Sequence, residues 1–239
     1  MDPQQRSIAE EFDQYNESYD SVVNQAIAFS GQKVASFTKA KAKDLLRTIS
    51  DNFQSCSVLD VLDVGCGIGN YHPFLTPFVR SVSGVDVSSA CIAKAQRRNP
   101  AVNYLTYDGD ILPYPDQSFD VTVCVCVLHH VPPDRWQQFT CELHRVTRPG
   151  GLLIIYEHNP EHPLTRKVVR DCEFDRDAVL LNSATARELL KTAKCSEVST
   201  VSIFTLPPWG GPIEWMDRLF AKLPFGAQYR ATGRVGATL

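Results

Sequence analysis

Residues 61–70 read Val-Leu-Asp-Val-Gly-Cys-Gly-Ile-Gly-Asn, an apolar run that ends on glycines at 65, 67 and 69. Glycine has no Cβ, so a chain that turns sharply at such positions leaves its backbone open to a ligand lying directly on it; a nucleotide-like cofactor is the natural occupant. A dinucleotide fingerprint would need its third glycine at position 70, which is Asn, and Asp63 stands two residues before the first glycine. That spacing argues against a nicotinamide dinucleotide. Asp86 closes the next apolar run, 17 residues after Gly69. A carboxylate there can accept hydrogen bonds from both hydroxyls of a ribose; the alternative is a helix N-cap, which Ser88 also suits. In Asp108-Gly109-Asp110-Ile111, a carboxylate at a strand-end turn can accept from an adenine amino group while the next N–H donates to the ring. Asp110 is the candidate and Asp108 the second choice, and both also suit a plain turn.

Two histidine-bearing pairs follow later apolar runs: His129 and His130 after 119–127, and Glu157 and His158 after 152–156. A neutral imidazole takes up a proton near neutral pH, and the carboxyl ends of strands are where ligands bind in open α/β sheets. His130 and His158 are the candidate general bases. Cys124 and Cys126 flank one valine and share a strand face; with no C-x-x-C pair, no metal site is expected.

The elements that must hold these residues alternate. Short β-branched runs at 58–64, 82–85, 102–106, 119–127 and 152–156 lack a polar alternation, which fits strands buried on both faces of a parallel sheet. Helices are expected at 88–98, 133–146 and 184–193, with a short, proline-interrupted one at 70–78. Two later strands are expected at 197–204 and 227–232, separated by the Pro/Gly/Trp-rich 206–211 and a short helix near 214–223. Before residue 58, apolar residues spaced by three and four at 6–29 predict one amphipathic helix, and 33–49 a second with a lysine-rich solvated face. Residues 156–181 are long for a strand-to-helix connection and are expected to roof a pocket with 207–212 and the N-terminal helices. Arg166, Lys167 and Arg170 in that stretch suit either an acidic ligand or a solvated face.

The chain has 239 residues, 44% hydrophobic and 21% charged, ordinary proportions for a globular protein. Its 24 basic and 27 acidic residues leave a net charge of −3, so no global positive field attracts nucleic acid or an anionic membrane. No apolar run approaches the roughly 18–20 residues of a membrane span. The acidic first twenty residues do not read as a secretory signal, so a cytoplasmic protein whose eight cysteines are mostly reduced is expected.

The glycine-rich first motif, the acidic end of the second strand, the block GDILPYPDQSFDVTVCVCVLHHV and the turn Arg148-Pro149-Gly150-Gly151 together resemble the class I S-adenosylmethionine-dependent methyltransferases, over residues 58–156. The resemblance implies a doubly wound α/β fold: a seven-stranded, mostly parallel sheet with an antiparallel last strand, helices on both faces and an N-terminal helical lid. It implies one methyltransferase domain over 1–239, made of a helical cap (1–52), a cofactor-binding half (53–157) and an acceptor-side half (158–239). By resemblance Asp63, Gly65, Cys66, Gly67 and Gly69 border the methionine part of S-adenosyl-L-methionine. Asp86 and Val87 meet its ribose and adenine, Asp110 and Ile111 the adenine edge, and Cys126 and Val127 lie near the sulfonium. Tyr15 and Tyr19 are candidates for the lid. The expected activity is methyl transfer to a small-molecule or glycan-like acceptor, at oxygen, with S-adenosyl-L-homocysteine as product and no nucleic-acid partner. The alternatives are an RNA or protein methyltransferase and a non-methylating S-adenosylmethionine-binding protein.

Overall fold

The computed structural model describes residues 3–15, 19–28, 32–175, 177–208, 219–220 and 223–236. Seven strands form one sheet: β1 (Asp60–Val64), β2 (Ser81–Asp86), β3 (Asn103–Thr106), β4 (Phe119–Val125), β5 (Thr147–His158), β6 (Cys195–Ile203) and β7 (Gln228–Val235). Their order is β3-β2-β1-β4-β5-β7-β6. The first five pair in parallel, and β7 runs antiparallel between β5 and β6. This is the expected fold class, with the antiparallel last strand inserted one place in from the edge.

The unbroken apolar runs have the two-sided burial that a covered parallel sheet requires. Val61, Val123 and Ile154 face one core with Leu45, Ile49, Leu75, Ile92 and Ala95. Their chain neighbours Leu62, Cys124 and Ile155 face the other core with Leu143, Val146, Ala186 and Leu190. The first layer is supplied by α3 (Val34–Asn52), α4 (His72–Leu75) and α5 (Ser89–Arg98), and the second by α6 (Trp136–Val146) and α8 (Ser183–Thr192). Strand β5 starts earlier than expected because Gly150, at φ 79°, and Gly151 bend 147–151 into the sheet. A Cβ on Gly151 would lie 2.7 Å from the carbonyl oxygens of Arg148 and Asp120, so the close approach requires glycine.

Two expectations change at the ends of the chain. The single stripe at 6–29 is two helices, α1 (Pro3–Tyr15) and α2 (Tyr19–Ala26). The connection after β5 contains a helix of its own, α7 (Pro163–Asp171), started by His162, whose Nδ1 accepts from the Thr165 N–H at 3.3 Å. Pro160 and Pro163, three positions apart at its start, mask its periodicity in the sequence. The helix expected near 214–223 falls mostly outside the described residues, as do Trp209 and Trp215 and the side chains of Tyr15 and Tyr19. Among the described residues no helix is long and apolar enough to cross a membrane, and all eight cysteines are free thiols.

Helix α3 is tied to the sheet by one carboxylate. Asp44 accepts from Tyr156 Oη at 2.9 Å, ion-pairs with Arg230 on β7 and meets Arg47 at 2.7 Å. Removing it leaves a buried hydroxyl and guanidinium without their shared partner. Asp44→Ala is therefore expected to cost about 3 kcal/mol, read by calorimetry as a fall in Tm of roughly 6–12 °C.

Candidate functional site

The strand order reverses between β1 and β4, and the loops leaving two such strands diverge and open a crevice at the carboxyl ends of the sheet. A cavity of about 400 Å³ lies there. Gly65, Cys66, Gly67, Asp86, Val87, Gly109, Cys126 and Val127 line it from strands β1 to β4, and His158 from β5. Helices α1, α2, α3 and α7 close it with Ile8, Phe12, Val23, Phe37, Leu164 and Val168. The N-terminal helices thus form the expected lid.

The glycine turn is fixed by hydrogen bonds. Gly65 and Cys66 donate their N–H groups to the Val85 carbonyl at 2.8 and 3.0 Å. Gly67, at φ 51°, has nothing within 4 Å of where a Cβ would stand. Its N–H donates to Asp86 Oδ2 at 2.7 Å, and the Ser88 N–H donates to Oδ1 at 2.9 Å. Asp86 is 8% exposed, and burial pushes its carboxyl up to about 6 against the pull of those backbone donors. Ser88 takes the helix cap, its Oγ accepting from the Cys91 N–H at 3.0 Å, which leaves Asp86 facing the cavity. Asp13 of α1 accepts from Ser88 Oγ at 2.5 Å and from the Ala90 N–H at 3.1 Å, latching the lid to the start of α5.

Five sequence candidates, counting the second choice Asp108, stand away from the cavity wall. Asp63 is fully buried behind the turn, where Oδ2 pairs with His72 Nε2 at 2.9 Å and His72 Nδ1 meets Tyr104 Oη at 2.5 Å. Its Oδ1 is buried without a hydrogen-bond partner among the described residues, as is the hydroxyl of Tyr71, which does line the cavity. Gly69, at φ 66°, points into the same cluster: a Cβ would lie 2.3 Å from Tyr104 Oη and 2.7 Å from Asn99 Nδ2. Its glycine serves packing, because the turn must pass over those polar side chains. Asp108 is the turn residue, accepting the Asp110 N–H at 3.0 Å, while Asp110 ion-pairs with Arg135 and the Ile111 side chain is 66% exposed. Gly109 stands on the wall instead, since an Asx turn aims the next side chains outward.

At the far end of the cavity the two histidine pairs meet. Glu157, with no exposed surface, accepts the N–H groups of Val127 and Leu128 at 3.0 and 2.7 Å and contacts His129 Nδ1 at 2.5 Å. Asp175 Oδ1, from the roof, lies 3.5 Å from His129 Nε2 and 3.3 Å from His130 Nε2. Burial by itself would lower His129, but Glu157 and Asp175 on either side raise it well above the ordinary histidine value. Burial and the neighbouring His129 charge hold His130 below that value, so it is neutral at pH 7. His129, His158 and Asp175 bring one donor atom each within 4.8 Å of one another. No ion is needed to explain that grouping, since each nitrogen of His129 already faces a carboxylate. Arg166, Lys167 and Arg170 lie on the outer face of α7, where Asp171 pairs with Lys167 and, at 3.2 Å, with Arg170.

The sequence reading did not single out Asp175, Lys41 or Tyr71. Asp175 follows an unforeseen helix, and Lys41 belongs to a lysine-rich face that otherwise reads as solvated. Tyr71 carried a local signal, since it is the N-cap of α4, the helix that the glycine turn opens. The two glycines separate by experiment. Gly69→Ala is expected to lose roughly 2–5 kcal/mol of stability by urea denaturation, from the left-handed backbone and overpacking together. Gly67→Ala bears only the backbone cost, about 1–2 kcal/mol, and acts on ligand binding.

Residues 62–155 match the model of a methyltransferase domain. A probable S-adenosylmethionine-dependent methyltransferase of Mycolicibacterium smegmatis is 34% identical over 152 residues, covering 62% of this chain and 56% of that protein. A phthiotriol/phenolphthiotriol dimycocerosates methyltransferase of Mycobacterium ulcerans is 35% identical over 108 residues, 44% of this chain and 39% of that one. A demethylmenaquinone methyltransferase of Tropheryma whipplei is 36% identical over 107 residues, 44% of this chain and 43% of that one. The chain thus spans about half or less of the length of these relatives. Among solved structures, a SAM-dependent methyltransferase of Thermotoga maritima, a possible histamine N-methyltransferase, superposes with a TM-score of 0.68 at 20% identity, covering 95% of this chain and 99% of that one. That likeness establishes the fold.

Proposed function

We propose that this chain is an S-adenosylmethionine-dependent methyltransferase that acts on a small, largely apolar acceptor, at oxygen. The observation that carries the reading is the open glycine turn at 65–67 closed onto Asp86, set at the mouth of a cavity that continues to a buried histidine cluster. The residues present suit the cofactor. Asp86 turns a carboxylate toward the space where two ribose hydroxyls would lie, and Gly67 leaves room for a chain passing over the turn. The Tyr71 hydroxyl of the wall, which the Asp63 carboxylate faces from behind, suits an ammonium group. When bound, the cofactor supplies a methyl carbon on a sulfonium sulfur.

The chain's own work is to hold the acceptor atom about 3–3.5 Å from that carbon, in line with the departing sulfur, and to exclude water. The roof does both with apolar side chains. The neutral His130 and the His158 ring stand where an acceptor hydroxyl would lose its proton, and Glu157 and Asp175 keep His129 charged and in place. Walls of Phe12, Val23, Ile27, Phe37 and Phe204 favour an apolar body over a glycan. Two relatives, one named for demethylmenaquinone and one for phthiotriol dimycocerosates, agree with that preference.

Calorimetric titration tests the cofactor. Micromolar binding of S-adenosylmethionine and S-adenosylhomocysteine with none of NAD is expected; NAD binding alone overturns the reading. Asp86→Ala removes charge-assisted hydrogen bonds of about 1.5–3 kcal/mol and is expected to weaken binding about tenfold or more while the fold survives. A protonated Asp86 has lost acceptor capacity, so affinity should hold at neutral pH and decline as pH falls through about 6. An affinity flat from pH 8 to 5 would place the ribose elsewhere. For turnover, His130 is held below the ordinary value of 6.5, so the acid limb of kcat/KM should begin below that pH and change in His130→Gln.

A further inference from the structure

The acceptor end of the cavity has one polar corner. Lys41 reaches in from α3 and places Nζ 3.3 Å from Cys126 Sγ. Gln228 of β7 brings its amide nitrogen to 3.8 Å from the same sulfur and to 3.2 Å from His158 Nδ1. Among the described residues the other amide atom of Gln228 is buried without a partner, as is the hydroxyl of Thr205, which also lines the cavity. Cys126 is held in this corner with φ 58°, its own N–H spent on the Tyr156 carbonyl at 2.8 Å.

A cation set in an apolar wall calls for an anion. Among the described residues, the carboxylates around the cavity are committed elsewhere. Asp86 is bound by the Gly67 and Ser88 amides, Asp175 by His129 and His130, Glu157 by His129, and Asp44 by Arg230 and Tyr156. The contact that Lys41 makes among the described residues is with the Cys126 sulfur, a weak acceptor while it is a thiol. Burial would raise that thiol, but Lys41 and His158 bring it down to about 7. The corner thus already draws negative charge onto the one atom within reach, and Lys41 is the one lysine or arginine among the described residues lining the cavity.

The geometry points to Lys41 as the anchor of an anionic oxygen on the acceptor, with Gln228 as second donor, and so to an acceptor class: an apolar body that ends in an acidic oxygen, as a carboxylic acid, an enol or a phenol. The site of transfer rests on the methyltransferase reading, whereas the anion preference does not. Where the acceptor oxygen still carries a proton, as in an enol or a phenol, the His158 imidazole would take it and Lys41 would hold the oxyanion; bound S-adenosylmethionine would supply the methyl group to that oxygen, its sulfur keeping the electron pair of the broken bond.

The test is calorimetric binding of two matched pairs, 2-naphthoate against 2-naphthamide and octanoate against octanamide, without cofactor. The expected result is a carboxylate bound at least tenfold tighter than its amide by the native protein, a preference erased in Lys41→Met and kept in Lys41→Arg. The carboxylate, and not the amide, should also slow alkylation of Cys126 by iodoacetamide in the unaltered protein, which needs no variant to fold. Equal binding in both pairs, or a preference that survives Lys41→Met, overturns the proposal. A separate titration with S-adenosylhomocysteine keeps the two ideas apart: its failure sinks the methyltransferase reading and leaves the anion preference to be judged on the carboxylate pairs.

Discussion

A carboxylate with no exposed surface has to find all its partners inside the protein, and Glu157 does so in a way that organises the acceptor side of the molecule. Its two oxygens take the Val127 and Leu128 amides and the His129 ring, which joins the end of β5 to the loop leaving β4. His129, charged by that contact, attracts Asp175 from the roof, and its carbonyl accepts the Val179 N–H at 2.9 Å. One buried charge thus fixes the loop that bears His130, the register of β4 against β5 at their carboxyl ends, and the path of the chain that covers them.

The cofactor side uses the opposite device. There the backbone is bare: glycines at positive φ leave space, and a single aspartate takes the amide that the turn exposes. The two halves meet at Cys126, where the chain leaves β4 with a left-handed residue and the apolar walls give way to Lys41, Gln228 and His158. Apolar walls strengthen each polar interaction they surround, so a few groups at such a corner decide what the cavity accepts.

Much of this was legible beforehand because local patterns carried it. All seven strands overlap the segments where apolar runs, glycine punctuation and β-branched residues place them, β5 beginning five residues early, and α3, α4, α5, α6 and α8 overlap the expected helices. The open turn, Asp86 and the Ser88 cap could be read from spacing. The candidates that stand off the cavity wall share a cause. Asp63, Gly69, Asp110 and Ile111 belong to the right segments, but which way each side chain faces depends on partners far away in sequence: His72 and Tyr104 for the first two, Arg135 for Asp110. Helix α7 was hidden by the two prolines at its start, whereas the apolar stripe at 6–29 did mark the inner face of the lid, with Ile8, Phe12, Val23 and Ile27 on the cavity wall.

By itself the sequence determined the alternation of strand and helix, the glycine turn and the acidic strand end, because a backbone that must bend or bury two faces allows few residue types at each position. Only the tertiary structure decided that Asp175 would meet His129, that Lys41 from an N-terminal helix would reach Cys126, and that Asp44 would serve Tyr156 and Arg230 at once. Those pairs lie tens of residues or more apart. No local pattern encodes them, and each exists because a buried charge takes the partner that folding brings within reach.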